Sequence, residues 1–285
     1  MLIGLSLHEG DEDAVRRQSA ACAALAGLDG IEAVNLQFTR GASRSDSRVP
    51  TIHALNSDSA EMTGSNGRRK PIASEMFDVL ASEAAARRHR YFAYINADIV
   101  VTRDLVNEVE RGGRETYAVS RCDVGTGAPD RMVTSGQDMF VVSVSWWQRH
   151  RLRFRPYILG EACWDNVYTA LTMCHSRGGL LNRDPLILHE RHPLAWRDAT
   201  PTARYNGLLA ALDARYFDRW AQYWHRLEQL RAAASPASAE DQLAREVFIW
   251  NRSAPEAMRQ VVRSARARWR YRRLRAEWIT QPSAG

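Results

Sequence analysis

An amide and a carboxylate follow directly after an apolar run in the segment YFAYINADIVV. Asn96 and Asp98 come after the mostly apolar residues Tyr91–Ile95, and three more apolar residues follow. A charged side chain in apolar surroundings costs several kcal/mol unless something pairs with it. We therefore expect Asp98 to lie at a polar edge of a sheet or beside a cation. On spacing alone, Asp98 can equally end the strand or cap a helix that begins near Thr102.

A second carboxylate, Asp165, follows Gly160 at the predicted start of a helix. The positive end of the helix dipole favours an ionised carboxylate at this position. An ionised carboxylate can accept a proton from an attacking hydroxyl group. Taken alone, Asp165 also fits the commoner case of an acid that only decorates a helix N-terminus.

Two histidines, His189 and His192, follow a predicted strand at 186–188. Imidazoles at the end of a strand can supply nitrogen ligands to a metal. The spacing is not the H-E-x-x-H of zinc proteases, because the second histidine comes one residue too early. A lone H-x-x-H is weak evidence for a metal site and is more often simply exposed.

Strands and helices alternate along the chain before residue 203. The predicted strands lie at 2–7, 31–38, 49–55, 91–95, 116–121, 138–147 and 186–188, and the predicted helices lie at 11–28, from 71, at 104–111 and after Gly160. A continuous apolar run such as 91–95 is typical of a parallel strand that is covered on both faces. The alternation predicts an α/β fold with a Rossmann-type mixed, mostly parallel sheet flanked by helices.

The pattern becomes helical after residue 203. Apolar residues recur at three- and four-residue steps from Tyr205 to Leu230, which predicts one long amphipathic helix. The segment AAASPASAED then precedes a further helix. We therefore expect an α/β domain at residues 1–202 and a C-terminal helical region with a basic tail at residues 203–285.

The composition is that of a soluble globular protein, with 45% hydrophobic and 25% charged residues. No apolar run approaches the ~18 residues that span a bilayer. The N-terminus turns acidic early and lacks the features of a signal peptide, so a cytoplasmic protein is expected. The four cysteines have no C-x-x-C spacing, which favours buried thiols in a reducing compartment over a metal or redox role.

The net charge of +6 is concentrated near the C-terminus, where residues 259–275 contain eight arginines and no acid. The segment from Arg259 to Trp278 interleaves these arginines with aromatic residues. Such a segment suits peripheral contact with the anionic inner face of a membrane, where each basic residue contributes ~1 kcal/mol. A solvated terminal helix is the plain alternative. No nucleic-acid partner is expected, because nothing in the rest of the chain supports one.

Four motifs together, YINADIVVTRDL, SGQDMFVVSVSWW, ILGEACWDN and LILHERH, resemble the A-type fold of glycosyltransferases, the nucleotide-diphospho-sugar transferase-like proteins. The resemblance covers residues 91–192 well and the N-terminal part only by the order of strands and helices. It implies a hexosyltransferase-type enzyme of polysaccharide biosynthesis. Such an enzyme moves a sugar from a nucleotide-diphosphate donor to a hydroxyl group of a glycan or lipid-linked acceptor.

The resemblance also implies roles for single residues. Asp98 would hold a divalent cation, Mn²⁺ or Mg²⁺, together with His189 or His192. Asp165 would be the general base of an inverting reaction, although the same fold also houses retaining enzymes. Asn96 stands where the first Asp of the D-x-D motif usually lies; the amide keeps a hydrogen bond to ribose but removes a charge, which leaves metal dependence open.

Further residues are assigned to the two substrates by the same resemblance. Ser6 and His8, at the end of the first strand, would face the nucleotide. Lys70, the one lysine of the chain, and its neighbours Arg68 and Arg69 would approach the diphosphate. The acceptor side would be lined by Gln137, Asp138 and Trp164.

Two other functions stay open at this point. A catalytically silent nucleotide-sugar-binding protein is one, and Asn96 is its best argument. A sugar-phosphate nucleotidyltransferase is the other, but that class needs a glycine-rich basic loop after the first strand, which LSLHEGDED lacks. The donor sugar, its nucleotide and the acceptor are not determined by the sequence.

Overall fold

A computed structural model describes residues 1–65, 67–125, 129–192 and 200–248. Its strands are β1 (Leu2–Leu5), β2 (Glu32–Phe38), β3 (Thr51–Leu55), β4 (Tyr91–Ile95), β5 (Ile99–Val101), β6 (Thr116–Val119), β7 (Cys122–Val124), β8 (Arg131–Met132), β9 (Met139–Ser143), β10 (Gly179–Leu181) and β11 (Ile187–Glu190). Its α-helices are α1 (Glu12–Ala26), α2 (Ser59–Thr63), α3 (Ala73–Ala86), α4 (Arg103–Gly112), α5 (Val144–His150), α6 (Trp164–His175), α7 (Pro201–Leu212), α8 (Ala214–Ala232) and α9 (Ala237–Phe248).

A seven-stranded sheet forms the centre of the fold, in the order β10-β6-β9-β4-β1-β2-β3. Strand β9 runs antiparallel to its neighbours β4 and β6, and the other neighbouring pairs are parallel. The sheet is flanked by helices. The predicted fold class, a mixed and mostly parallel α/β sheet flanked by helices, is therefore confirmed.

Side chains on the central strands alternate between two core layers, as the two-residue period of a strand requires. On β4, Phe92 packs in the layer formed with α3 and α6, and Ala93 packs in the layer formed with α1 and α4. Burial on both faces explains the continuous apolar run in the sequence. Gly4 of β1 allows α3 to come close, because a Cβ at this position would collide with Leu80.

A smaller sheet, in the order β5-β11-β7-β8, lies next to the large one. Strand β11 pairs antiparallel with β5 and parallel with β7, so that His189 lies opposite both Ile99 and Asp123. Residues 96–98 connect β4 of the large sheet to β5 of the small sheet. Asp98 therefore lies where the two sheets meet. The carboxylate interrupts the apolar run in the sequence because it lies in the connection between two buried strands.

The apolar segment 138–147 is not one strand, as the sequence suggested. Strand β9 ends at Ser143, and helix α5 begins with Val144. The Ser143 hydroxyl accepts a hydrogen bond from the backbone N–H of Trp146 at 3.3 Å and so caps the helix. The β-branched and aromatic residues of this segment favour a strand locally, and the cap together with the burial of Trp146 and Trp147 overrides that preference.

The long helix predicted from Tyr205 to Leu230 is two helices, α7 and α8, which meet at Asp213. Asp213 is 6% exposed, and its carboxylate accepts hydrogen bonds from Arg155 Nε at 2.9 Å and from the Tyr157 hydroxyl at 3.2 Å. The apolar period continues across this junction, so the sequence pattern does not reveal it.

The C-terminal helices α7, α8 and α9 pack into the same core as the α/β part. Tyr216, Trp220 and Leu227 belong to one cluster of buried side chains with Tyr168 of α6 and Phe92 of β4. The division of the chain at residue 202 stays a prediction. What the structure adds is that these helices complete a core layer of the large sheet.

The predicted membrane-contacting segment, from Arg259 to Trp278, lies outside the described residues. Among the helices that are described, none combines the length and the apolar character needed to cross a bilayer.

The cysteines are not joined in disulfides, and two of them are buried as expected. Cys22 and Cys122 are buried, whereas Cys163 and Cys174 are partly exposed. Burial raises the pKa of Cys22 to about 11, so this thiol stays protonated. Cys163 has a left-handed backbone, with φ of 75°, immediately before α6.

Candidate metal and base site

Asn96 is held by two partners at the turn between β4 and β5. The Tyr94 hydroxyl donates to Asn96 Oδ1 at 2.9 Å, and Asn96 Nδ2 donates to Asp138 Oδ1 at 2.9 Å. Both ends of the amide are therefore used to fix the turn. An aspartate here would place a second negative charge against Asp138, which gives a physical reason for the amide.

Asp98, His189 and His192 form a cluster at the junction of the two sheets, although they come from distant parts of the chain. Asp98 Oδ2 lies 3.2 Å from His192 Nε2 and 3.8 Å from His189 Nε2. The two Nε2 atoms are 3.0 Å apart. The potential ligand atoms of the three residues all lie within 4.8 Å of one another.

The donor set of this cluster fits a divalent transition-metal ion. Separations of 3.0–3.8 Å are compatible with three ligand atoms that are each about 2.1 Å from one ion. Magnesium prefers oxygen ligands, and two imidazoles shift the preference towards Mn²⁺ and other transition metals. Asp98, His189 and His192 can therefore hold such an ion.

Asp123 and Arg121 support the cluster, and the sequence analysis did not identify them. Asp123 Oδ1 lies 2.9 Å from His189 Nδ1, so a proton on Nδ1 leaves the Nε2 lone pair facing Asp98. Arg121 Nε donates to the same Oδ1 at 2.8 Å. Burial works to raise the pKa of Asp123, but the hydrogen bonds and charges of Arg121 and His189 outweigh it and hold that pKa below its usual range. The available signal was the pair of charged residues at and just after the end of the predicted strand 116–121.

Asp138 connects the metal-ligand cluster to the candidate base. Arg121 Nη1 donates to Asp138 Oδ1 at 3.0 Å, and Asn96 donates to the same atom. Burial raises the pKa of Asp138, and the charge of Arg121 opposes the increase. The negative charges of Asp98 and Asp165 both interact with that of Asp138. Asp98 and Asp165 therefore both lie within electrostatic range of Asp138, near the ends of the parallel strands β4 and β6.

Asp165 lies in the first turn of α6, as predicted, and is partly buried. Its Oδ2 accepts a hydrogen bond from the backbone N–H of Gln137 at 3.2 Å. A Cβ on Gly136 would collide with that same oxygen, so residue 136 must be glycine for this approach. The backbone of residues 136–137 thus fixes the carboxylate against the loop before β9.

The protonation of Asp165 differs from the expectation that the helix dipole keeps it ionised. Burial raises the pKa of Asp165 to about 7, and the negative charge of Asp138 adds to the increase. Backbone hydrogen bonds from Asn166 and Gln137 oppose it without cancelling it. A carboxyl group with this pKa exchanges its proton near neutral pH, which is the property of a general base.

The predicted nucleotide-facing segment is fixed by side chains of neighbouring elements. The backbone N–H of His8 donates to Gln18 Oε1 at 2.8 Å, and that of Leu7 donates to Asn35 Oδ1 at 3.0 Å. Burial lowers the pKa of His8, the charge of Arg68 lowers it further, and the charge of Asp98 opposes both. His8 therefore lies within electrostatic range of the metal-ligand cluster, and Arg68 lies within electrostatic range of His8. Ser6 is partly exposed beside them, and its contact with a nucleotide stays a prediction.

Lys70 is engaged elsewhere. Its ammonium group forms an ion pair with Glu161 at 2.7 Å, in the loop before α6. Arg69 is likewise paired with Asp58. Of the basic residues 68–70, Arg68 is the one whose charge acts on His8. A role of Lys70 at the diphosphate stays a prediction, and it would require the pair with Glu161 to open or to be shared.

The residues assigned to the acceptor side are buried. Gln137 Oε1 accepts from the Thr169 hydroxyl at 2.6 Å, and the Trp164 ring packs edge-on against Tyr94 with 5.6 Å between centroids. Asp138 is held by the contacts described above. Gln137, Asp138 and Trp164 are each less than 9% exposed. These side chains are largely covered by other residues, and a direct contact with an acceptor stays a prediction.

Comparison with known proteins adds a similarity of shape. The crystal structure of S. aureus TarS 1-349 is similar to this chain over 87% of this chain and 69% of that chain, with 11% sequence identity and a TM-score of 0.45. A similarity this distant carries no information on activity. No family model matches the chain, and no curated protein does.

Proposed function

We propose that this protein is a metal-dependent glycosyltransferase that moves a sugar from a nucleotide-diphosphate donor to a hydroxyl group of a glycan or lipid-linked acceptor. The single observation that carries the proposal is the joint placement of two unlike groups. A metal-ligand cluster (Asp98, His189 and His192) and a carboxyl group with a pKa of about 7 (Asp165) both lie within electrostatic range of Asp138. Both kinds of group assist the displacement of a diphosphate by a hydroxyl group, because a cation neutralises charge on the leaving group and a base takes the hydroxyl proton.

Asp165 would act on the acceptor. Its carboxylate takes the proton of the acceptor hydroxyl, and the oxygen forms a bond to the anomeric carbon of the donor. The bond from that carbon to the diphosphate breaks, and its electron pair stays on the leaving phosphate oxygen. Attack from the face opposite the leaving group inverts the configuration. With a pKa raised to about 7, the Asp165 carboxylate is a stronger base than an ordinary carboxylate.

Asp98, His189 and His192 would hold the cation, and Asp123 would keep the His189 ring in the required tautomer. A divalent cation bound at this cluster would neutralise the negative charge that develops on the leaving diphosphate. His8, which follows β1, would contact the nucleotide, and Arg68 would approach the diphosphate. Asn96 would keep the turn of Asp98 in place through Asp138.

The test is turnover with a panel of UDP- and GDP-sugars in the presence of Mn²⁺, read as release of nucleoside diphosphate. Asp165→Asn should lower the rate by about 10²–10⁴-fold, the usual contribution of general base catalysis. Asp104→Asn is a matched control, because Asp104 is also an acid in the first turn of a helix, α4, and it is exposed. The control should keep the rate of the native protein.

Other outcomes would favour the other two functions. Binding of nucleotides by calorimetry without any release across the panel would indicate a silent binding protein. Release of pyrophosphate from a sugar phosphate and a nucleoside triphosphate would indicate a nucleotidyltransferase. Release that is equal in the native protein and in Asp165→Asn would contradict the assigned base.

A further inference from the structure

The loop that leads into α6 is held first by the N-terminal end of α3. The backbone N–H of Ala73 donates to the Tyr157 carbonyl at 2.7 Å, and the N–H of Leu159 donates to the Pro71 carbonyl at 3.0 Å. These bonds fix the start of the loop, residues 157–159. They do not reach residues 160–163, which come directly before the helix of Asp165.

The rest of the loop is held by α7, through Asn206. This residue is fully buried, with 0% exposure. Its Oδ1 accepts from the backbone N–H of Ile158 at 2.8 Å, and its Nδ2 donates to the Ile158 carbonyl at 2.9 Å and to the Ala162 carbonyl at 3.1 Å. The Asn206 amide thus bonds to both the N–H and the carbonyl of Ile158, as a neighbouring strand would. It also bonds to the carbonyl of Ala162. Three of the four hydrogen bonds that an asparagine side chain can make are thus made to one loop.

A second contact from α7 lands on the same loop. The Thr202 hydroxyl donates to Glu161 Oε1 at 2.6 Å, and the ammonium group of Lys70 pairs with the same carboxylate. Glu161 is 6% exposed. The loop of residues 158–162 is therefore clamped between α3 and α7, and its last residue before α6, Cys163, has the left-handed backbone with φ of 75°.

We propose that Asn206 is a positioning residue for Asp165. The Ala162 carbonyl that it holds lies three residues before Asp165, so the start of α6 is fixed relative to the loop of Gly136 and Gln137 that receives the carboxylate. A general base must be held within a fraction of an ångström of its working position. The inference rests on the proposed function, because it deepens the role of the same base, and it makes the C-terminal helices part of the site.

The experiment compares Asn206→Ala and Asn206→Ser with Asn182→Ala. Asn182 is a matched control, since it is also a buried asparagine that bonds to the C-terminal helices, through the Tyr223 hydroxyl at 2.9 Å, and it does not contact the loop of residues 157–163. Folding is checked by circular dichroism, and donor binding by calorimetry with the nucleoside diphosphate and Mn²⁺. Serine keeps one hydroxyl in place of the amide, so it guards against loss of fold in the alanine variant.

We expect kcat to fall at least about 30-fold in Asn206→Ala and less in Asn206→Ser, while the Kd for the nucleotide stays within about threefold. The midpoint of the pH–rate profile should move below 7, because a loosened Asp165 gains water and moves away from Asp138, the charged side chain that acts on it. Asn182→Ala should keep both values. An unchanged kcat and midpoint in both Asn206 variants overturns the proposal, and so does an equal loss in Asn182→Ala or an equal loss of nucleotide binding.

A readout that does not need turnover separates this proposal from the function itself. The pKa of the Asp165 carboxyl group can be followed by NMR of carbon-labelled aspartate, with Asp165→Asn to assign the signal. If no nucleoside diphosphate is released from any sugar nucleotide of the panel, the proposed function fails. If the carboxyl pKa is the same in Asn206→Ala as in the native protein, the positioning role fails, whatever reaction the protein performs.

Discussion

Two partly buried carboxylates at the same edge of the sheet, Asp123 and Asp165, respond to burial in opposite ways. Burial works to raise the pKa of each. At Asp123 the hydrogen bonds and charges of Arg121 and His189 outweigh it, and the pKa falls below its usual range. At Asp165 the charged neighbour is Asp138, and the pKa rises to about 7. The surroundings of Asp123 suit a permanently charged group that orients a candidate metal ligand. Those of Asp165 suit a group that exchanges a proton near neutral pH.

The strongest way to break this comparison is to remove a metal ligand. Asp98→Ala should weaken Mn²⁺ binding by at least about 100-fold, as measured by calorimetry on the purified protein. Asp123→Asn should weaken it by about 10–100-fold, because it only orients His189. Glu190→Gln is the control, since Glu190 follows His189 on β11 but pairs with Arg16. Native affinity in Asp98→Ala would show that the cluster is not the metal site.

A change of pH sharpens the comparison at the base. The value of kcat/KM should rise with pH through a midpoint of about 7, because the ionised form of Asp165 accepts the proton. Asp138→Asn removes the negative charge that raises this pKa, so the midpoint should move to lower pH by about one unit. Pre-steady-state rates between pH 5 and 9 measure the shift. A midpoint that stays at 7 or rises in Asp138→Asn would contradict the assigned cause.

Stability offers the smallest of the expected effects. The pKa of Asp165 in the folded protein, about 7, lies above the ordinary value of 3.8, so the folded state holds the proton more tightly than the unfolded chain does. Between these values the free energy of unfolding falls as pH rises, and the loss is complete above the folded pKa. Asp165→Asn should therefore raise the free energy of unfolding at pH 8 by on the order of 1–3 kcal/mol, which is a few degrees in Tm.

Thermal melts at pH 5 and pH 8 check this prediction. The gain in Asp165→Asn should be larger at pH 8 than at pH 5, where the native carboxyl group is still protonated. Asp123→Asn gives the opposite sign, because its depressed pKa means that its charge contributes stability above the unfolded pKa. Equal melting curves of the native protein and Asp165→Asn at pH 8 would show that the ionised Asp165 does not destabilise the folded state.

Local patterns in the sequence predicted the elements that carry the main groups. Periodicity and the residues at helix starts predicted that Asp165 lies in the first turn of α6 and that His189 lies near the end of β11. The turn of Asp98 was predicted as a polar interruption, but the sequence did not show that two sheets meet there. That junction depends on the pairing of β11 with β5, which is a contact between distant segments.

The residues that support the site were not predictable in the same way. Asp123 reaches His189 only because β7 and β11 pair. Asn206 is one polar residue within an amphipathic helix, and its three bonds to a loop far away in the sequence leave no local signature. The junction of α7 and α8 at Asp213 was also missed, because the apolar period continues across it. The contact of Asp213 with Arg155 joins distant segments and leaves no local pattern.

The ligand cluster has a consequence for folding. Asp98 and His192 are 94 residues apart in the chain, so the unfolded polypeptide rarely offers both to one ion. An ion that binds there selects the folded state and adds to its stability, by about 2.7 kcal/mol at a hundredfold excess over Kd. If the proposed cation binds at this cluster, its supply would affect the resistance of the protein to proteolysis as well as the proposed activity.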